Sequence, residues 1–168
     1  YEESDSLMFF DRLAGGYATY SLCLSADGSR NWRMVGSLGN KNDTIIAPGT
    51  GLFLQRNGDA DTQLVVVGSV RTGDFVMPLE TGYNLVCSPY PVSGALAHAQ
   101  LGSFNGFVPA DNAAKADQLL FFNGAGFDGY FLQGGSDAQE ESWRRSDAVA
   151  AVSDFPELLR HDRSFFIK

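Results

Sequence analysis

The chain holds two histidines, His98 and His161, and two cysteines, Cys23 and Cys87, and none of these lies in a spacing that builds a reaction centre. A metal site needs converging ligands, and neither His-x-His nor Cys-x-x-Cys occurs. Nucleophilic catalysis needs a nucleophile, a base and an orienting group. No Gly-x-Ser-x-Gly elbow is present, and Cys87 runs into Ser-Pro-Tyr-Pro without a partner histidine pattern. Paired carboxylates could cleave glycosides, yet Glu2-Glu3, Asp59 with Asp61, and Glu140-Glu141 all sit in polar loop stretches and read as solvated charge. The loop 57–61 resembles a piece of a calcium loop but lacks the spaced oxygens and closing glutamate. The glycines of 47–51 lead into a strand, whereas a phosphate cradle needs a helix N-terminus. The expectation is no catalytic residue, no cofactor and no metal; the chain does not read as an enzyme.

The residues that do stand out are Trp32-Arg33 and Trp143-Arg144, which contain the only tryptophans of the chain. An exposed Trp beside Arg suits a sugar or a protein partner, through stacking and forked hydrogen bonds. A Trp that recurs at equivalent places also suits a duplicated core, and that reading is preferred. The pairs Phe9-Phe10 and Phe121-Phe122 follow the same logic. One ring of each pair faces the core, and the other needs cover from a second layer or from a partner chain.

These residues belong to a repeat. Asp5-Ser-Leu-Met-Phe-Phe returns as Asp117-Gln-Leu-Leu-Phe-Phe, an offset of 112 (117 − 5). Tyr20 returns as Tyr130, Trp32 as Trp143 and Leu52-Phe-Leu54 as Phe165-Phe-Ile167, at offsets of 110, 111 and 113. A copied unit with short loop insertions needs a neighbour to bury its apolar face. The chain therefore reads as one domain, 1–168, made of repeat A (5–56), a middle segment (57–116) and repeat B (117–168). Alternation over 17–24 marks a strand, and Asp27-Gly28 marks a hairpin tip. Strands are also expected at 7–10, 31–35, 52–56, 63–70, 74–79 and 83–87, the run 63–70 being covered on both faces. One short helix is expected over 93–101, capped by Ser93 and ended by Gly102. The fold class is all-β: an antiparallel β-sandwich or partly closed barrel with an internal pseudo-two-fold repeat and one short helix.

Composition narrows the partners. The 168 residues are 44% hydrophobic and carry a formal net charge of −8, so a folded core is expected and nucleic acid is not. No apolar run approaches the roughly 20 residues that span a bilayer, so no membrane insertion is expected. The two cysteines read as buried thiols or as a single disulfide. A chain that begins at Tyr1 and stops directly after its second copy reads as processed, or as a piece of a longer protein.

The Trp-Arg pairs, Pro48-Gly-Thr-Gly-Leu-Phe-Leu-x-Arg56 and Gly82-Tyr-Asn-Leu-Val-Cys-Ser-Pro-Tyr-Pro-Val92 carry a resemblance. The chain resembles the C-terminal duplicated region of uncharacterised exported proteins of Verrucomicrobia and related bacteria. Those end in two similar halves, each with a Trp-Arg strand and a closing Pro-Gly-x-Gly strand. The second copy departs from that pattern, with Arg160-His-Asp-Arg-Ser164 in place of Pro-Gly-x-Gly. The resemblance implies export and an extracellular or cell-envelope setting. It supplies no catalytic residues.

The functional expectation is a non-enzymatic structural or assembly protein that forms a homo-oligomer or filament at the cell surface. The expected assembly edge is the closing strand, Ser164, Phe165, Phe166, Ile167 and Lys168, because no segment follows it as 57–116 follows the first copy. The alternative is a carbohydrate- or ligand-binding β-module that uses Trp32, Arg33, Trp143 and Arg144.

Overall fold

The computed structural model describes residues 4–61, 63, 65, 69, 72–94, 100–134, 141–147, 159–160 and 162–168. It is all-β, and its strands are β1 (Ser6–Asp11), β2 (Gly16–Leu24), β3 (Arg30–Met34), β4 (Phe53–Gln55), β5 (Asn84–Cys87), β6 (Gln118–Phe122), β7 (Phe127–Gln133), β8 (Ser142–Arg145) and β9 (Ser164–Ile167). They form two antiparallel sheets, β3-β2-β1-β4 and β5-β9-β6-β7-β8, which do not close into a barrel.

The repeat is visible strand by strand. Read from the far edge, β8-β7-β6-β9 repeats the order β3-β2-β1-β4. The sequence offsets reappear as register. Leu7 faces Tyr20 and Leu54, and Leu119 faces Tyr130 and Ile167. Trp32 lies opposite Leu22, and Trp143 opposite Leu132. Bonds outside the ladders agree as well: Leu22 N and Leu132 N donate to the carbonyls of Asp5 and Asp117.

The sheets meet through aromatic rings whose contacts come in exchanged pairs. Phe10 meets Phe166 at 5.1 Å, and the counterpart pair Phe122 and Phe53 meets at 5.9 Å. Tyr17 packs on Phe53 as Phe127 packs on Phe166. Phe53 and Phe166, which are counterparts of each other, meet at 6.4 Å. A contact between i and j that recurs with the copies exchanged is the pattern of an isologous interface. Here it occurs within one chain.

Two glycines let β4 reach both sheets. The turn at 47–50 closes with Thr50 N donating to Ala47 O, and Gly49 takes the left-handed φ of +81° that follows Pro48 in such a turn. Gly51 N then donates to Leu85 O, and the chain bridges to β5 before entering β4. A Cβ on Gly51 would lie 2.7 Å from Val86 N and 2.8 Å from the carbonyl carbon of Leu85. Backbone cannot swing aside, so Gly51→Ala is expected to cost about 1–3 kcal/mol, measured as a lower urea midpoint with an unchanged slope. At the corresponding place in the second copy Arg163 N donates to Arg160 O.

Three expectations need correction or placement. Residues 74–79 form no strand: Pro78 offers no amide to a ladder, and the segment packs side chains instead, with Met77 against the core. Of the expected strand 63–70 only 63, 65 and 69 are described; none is in a strand, and Val65 is exposed. Most of the expected helix 93–101 likewise lies outside the described residues. Gly94 makes an isolated bridge with Leu159, and the only helical turn among the described residues is a 3-10 turn at Ser103–Asn105.

Candidate binding face

The closing strand is not an open edge. β9 lies between β5 and β6 and is paired with both. Phe165, Phe166 and Ile167 are buried, and Lys168 exchanges backbone bonds with Gln118. Its second neighbour is β5, far earlier in the chain. Ser164 adds a clamp between the copies: its Oγ accepts from Leu52 N at 3.1 Å and donates to Leu52 O at 3.0 Å.

Register assigns each repeat one face that looks toward the aromatic interface and one that looks away. The face turned away carries Leu119, Phe121, Tyr130, Leu132, Trp143 and Ile167 in the second sheet. All six are buried, from 0% exposure for Leu119 to 8% for Tyr130 and Trp143. With Val86, Phe165 and Phe107 they form the hydrophobic core, against which Met77, Leu101 and Leu159 pack. The counterparts on the first sheet are Leu7, Phe9, Tyr20, Leu22, Trp32 and Leu54. None of these is buried; five are half-buried, and Leu54 is 39% exposed.

The difference lies in the cover. In the second sheet the segment 100–117 lies over the face. Phe107 meets the Trp143 ring edge-on at 6.0 Å, and Trp143 Nε1 donates to Leu101 O at 2.9 Å. Ala110 adds as a parallel bridge beside Gln133: its N–H donates to Leu132 O at 3.0 Å, and its carbonyl accepts from Gly134 N at 3.2 Å. Val108 N donates to the Asp117 carboxylate, and Asp117 N returns a bond to Val108 O. In the first sheet Asp5, the counterpart of Asp117, has its carboxylate on Arg56 at 3.1 Å and on Asn57 N at 3.0 Å. Trp32 Nε1 has no hydrogen bond to any described residue.

One carboxylate helps to hold the cover. Glu141 accepts from Ser103 N at 3.0 Å. Hydrogen bonds from the Ser103 hydroxyl and then its amide hold the Glu141 carboxyl below the ordinary glutamate range. A depressed carboxyl stabilises the folded form above its unfolded pKa, and that stabilisation is lost as pH falls through the depressed value. Acidification through that window is expected to loosen 100–117 over Trp143, seen as a rise in Trp143 solvent accessibility. Glu141→Gln is expected to remove the pH dependence.

The tryptophan-arginine pairs separate in role. Trp143 is core, whereas Trp32 sits on the open face. Arg33 and Arg144 point to the opposite sides of their sheets from these indoles, opposite Ser21 and Phe131. The structure therefore brings no Trp-Arg pair together as one recognition unit. Cys23 and Cys87 are free thiols in different sheets, each half-buried; burial pushes the Cys87 thiol up, and it donates to Thr50 O. His98, His161, Glu2, Glu3 and Glu140 lie outside the described residues. Among the described residues no three metal-ligating side chains converge, and no helix is long and apolar enough to cross a membrane.

No family model, curated protein or solved structure matches this chain. The open face was not marked by residue type, since five of the six apolar residues are identical in the two copies and the sixth exchanges Leu54 for Ile167. The available signal was the rule that each Phe-Phe pair needs cover on both sides.

Proposed function

We propose that this protein is a non-enzymatic structural or assembly module that self-associates through the outer face of its first sheet. The carrying observation is the contrast between the copies: six apolar residues are buried in the second sheet, while their six counterparts are left half-buried or exposed in the first. A contiguous apolar sheet face marks an interaction surface. Burial of such a face on a second copy would supply the cover that 100–117 supplies to its twin. The resemblance to exported proteins supports an extracellular or cell-envelope setting, as an oligomer or filament. Sedimentation velocity over a concentration series tests the reading. Association that strengthens with concentration and is lost on placing a charge at Leu22 is the expected result; a monomer throughout refutes it.

A second reading has one observation in its favour. Tyr20 and Trp32 share the open face, and two such rings make a platform on which a carbohydrate can stack. Titration with soluble oligosaccharides, read at the Trp32 indole signal, separates this reading from the first.

A further inference from the structure

The open face has a more specific shape than an apolar patch. In an antiparallel ladder alternate residues bond to alternate neighbours. Ser25 N donates to Ser29 O and Val35 N to Thr19 O across β2 and β3, so Leu22 and Leu24 turn their backbone groups to the other side, toward β1. Leu22 N is used there by Asp5 O. Leu22 O and Leu24 N extend beyond it, and no described residue bonds either of them. They are the counterparts of Leu132 O and Gly134 N, the two groups that Ala110 occupies in the second sheet. With Trp32 Nε1 this makes three directed groups around an apolar face, each without a bond to any described residue where its twin is filled.

We propose that this site is a docking slot for one extended segment of another polypeptide, of the kind the chain already lays over its second sheet. This rests on the assembly reading and names the chemistry of the contact. The segment pairs in parallel beside Cys23, donating its N–H to Leu22 O and accepting from Leu24 N. It places an aromatic ring against Trp32, as Phe107 lies against Trp143, and offers a carbonyl to Trp32 Nε1 as Leu101 does to Trp143. The pattern it needs is that of Leu101, Phe107 and Ala110: an aliphatic residue, an aromatic six positions on, and a small residue three further. Strand addition of this kind takes affinity from main-chain bonds and specificity from the side-chain pockets. The slot lacks the Asp117 clasp, because Asp5 is held by Arg56 and Asn57. The docked segment is therefore held less firmly than 100–117, which suits an exchangeable contact.

The test uses the whole chain and a synthetic peptide of its own residues 100–112 as the probe. The second sheet is not open to this peptide, since the tethered copy competes at high effective concentration. The two tryptophans give two indole N–H signals in a heteronuclear NMR spectrum. The expected result is a saturable shift of the Trp32 signal with the Trp143 signal unmoved, and no shift with the peptide carrying Phe107→Ala. In a Leu22→Lys chain, with the Trp143 signal in place as the sign of a folded second sheet, the shift is lost. No shift at millimolar peptide, or an equal shift with the Phe107→Ala peptide, overturns the proposal. Self-association abolished by Leu22→Lys but not competed by the peptide overturns the slot and leaves the assembly reading standing. A peptide shift on a chain that is monomeric at every concentration does the reverse.

Discussion

Phe121→Ala is expected to destabilise the protein by about 3–5 kcal/mol, while Phe9→Ala, the same change at the equivalent position, costs well under half as much. Both rings pair edge-on with a tyrosine, Phe121 with Tyr130 at 5.7 Å and Phe9 with Tyr20 at 5.3 Å. The tyrosine contact is therefore matched, but Phe121 also stacks on Phe165 at 5.0 Å, where the first copy carries Leu52. Phe121 is also 1% exposed, so its removal leaves a closed cavity. Phe9 is half-buried, so water or a neighbouring side chain fills the gap at small cost. Urea unfolding of the two variants measures the difference, and equal losses would mean that the first face is closed in the free chain.

The second large effect comes from charge. Leu132→Lys is expected to abolish folding, because Leu132 is 2% exposed and an unpaired ammonium there would cost several kcal/mol. Leu22→Lys is expected to leave the unfolding midpoint nearly unchanged, since a lysine at a half-buried sheet position can reach water with its head group. Circular dichroism and urea unfolding on the pair check this. The same substitution at Leu22 is the one that should remove association, so stability and assembly are separable at a single residue.

Much of the fold is legible in the sequence. Leu7, Tyr20 and Trp32 recur as Leu119, Tyr130 and Trp143 with only small changes of spacing, and spacing within a repeat becomes register in a sheet. The hairpin tip at Asp27-Gly28 was legible for a local reason: Gly28 has a φ of +80°, and Asp27 accepts from the Ser29 hydroxyl and amide. Pairings distant in sequence were not legible. The repeat pattern alone gives β9 no neighbour beyond β6, yet Val86 and Leu85 of β5 lie directly against Phe165 and Phe166. Residues 74–79 carry a strand-like pattern, but Phe75 and Met77 are used to pack beside Gly49. The open face was the least legible feature. Trp32 and Trp143 are each followed by an arginine in a short strand, and the cover laid down by 100–117 separates the core residue from the half-buried one.

The central claim is that one copy of the repeat is closed within the chain and the other is completed from outside. Hydrogen exchange of the two indole N–H groups, followed in the dilute chain, tests it most directly. Trp143 Nε1 is bonded to Leu101 O beneath a buried Phe107, so its proton should exchange only through opening of the second sheet. Trp32 Nε1 has no described partner, so its proton should exchange orders of magnitude faster, and should slow when the chain associates or binds the 100–112 peptide. Slow exchange at both indoles in the dilute monomer would contradict the account.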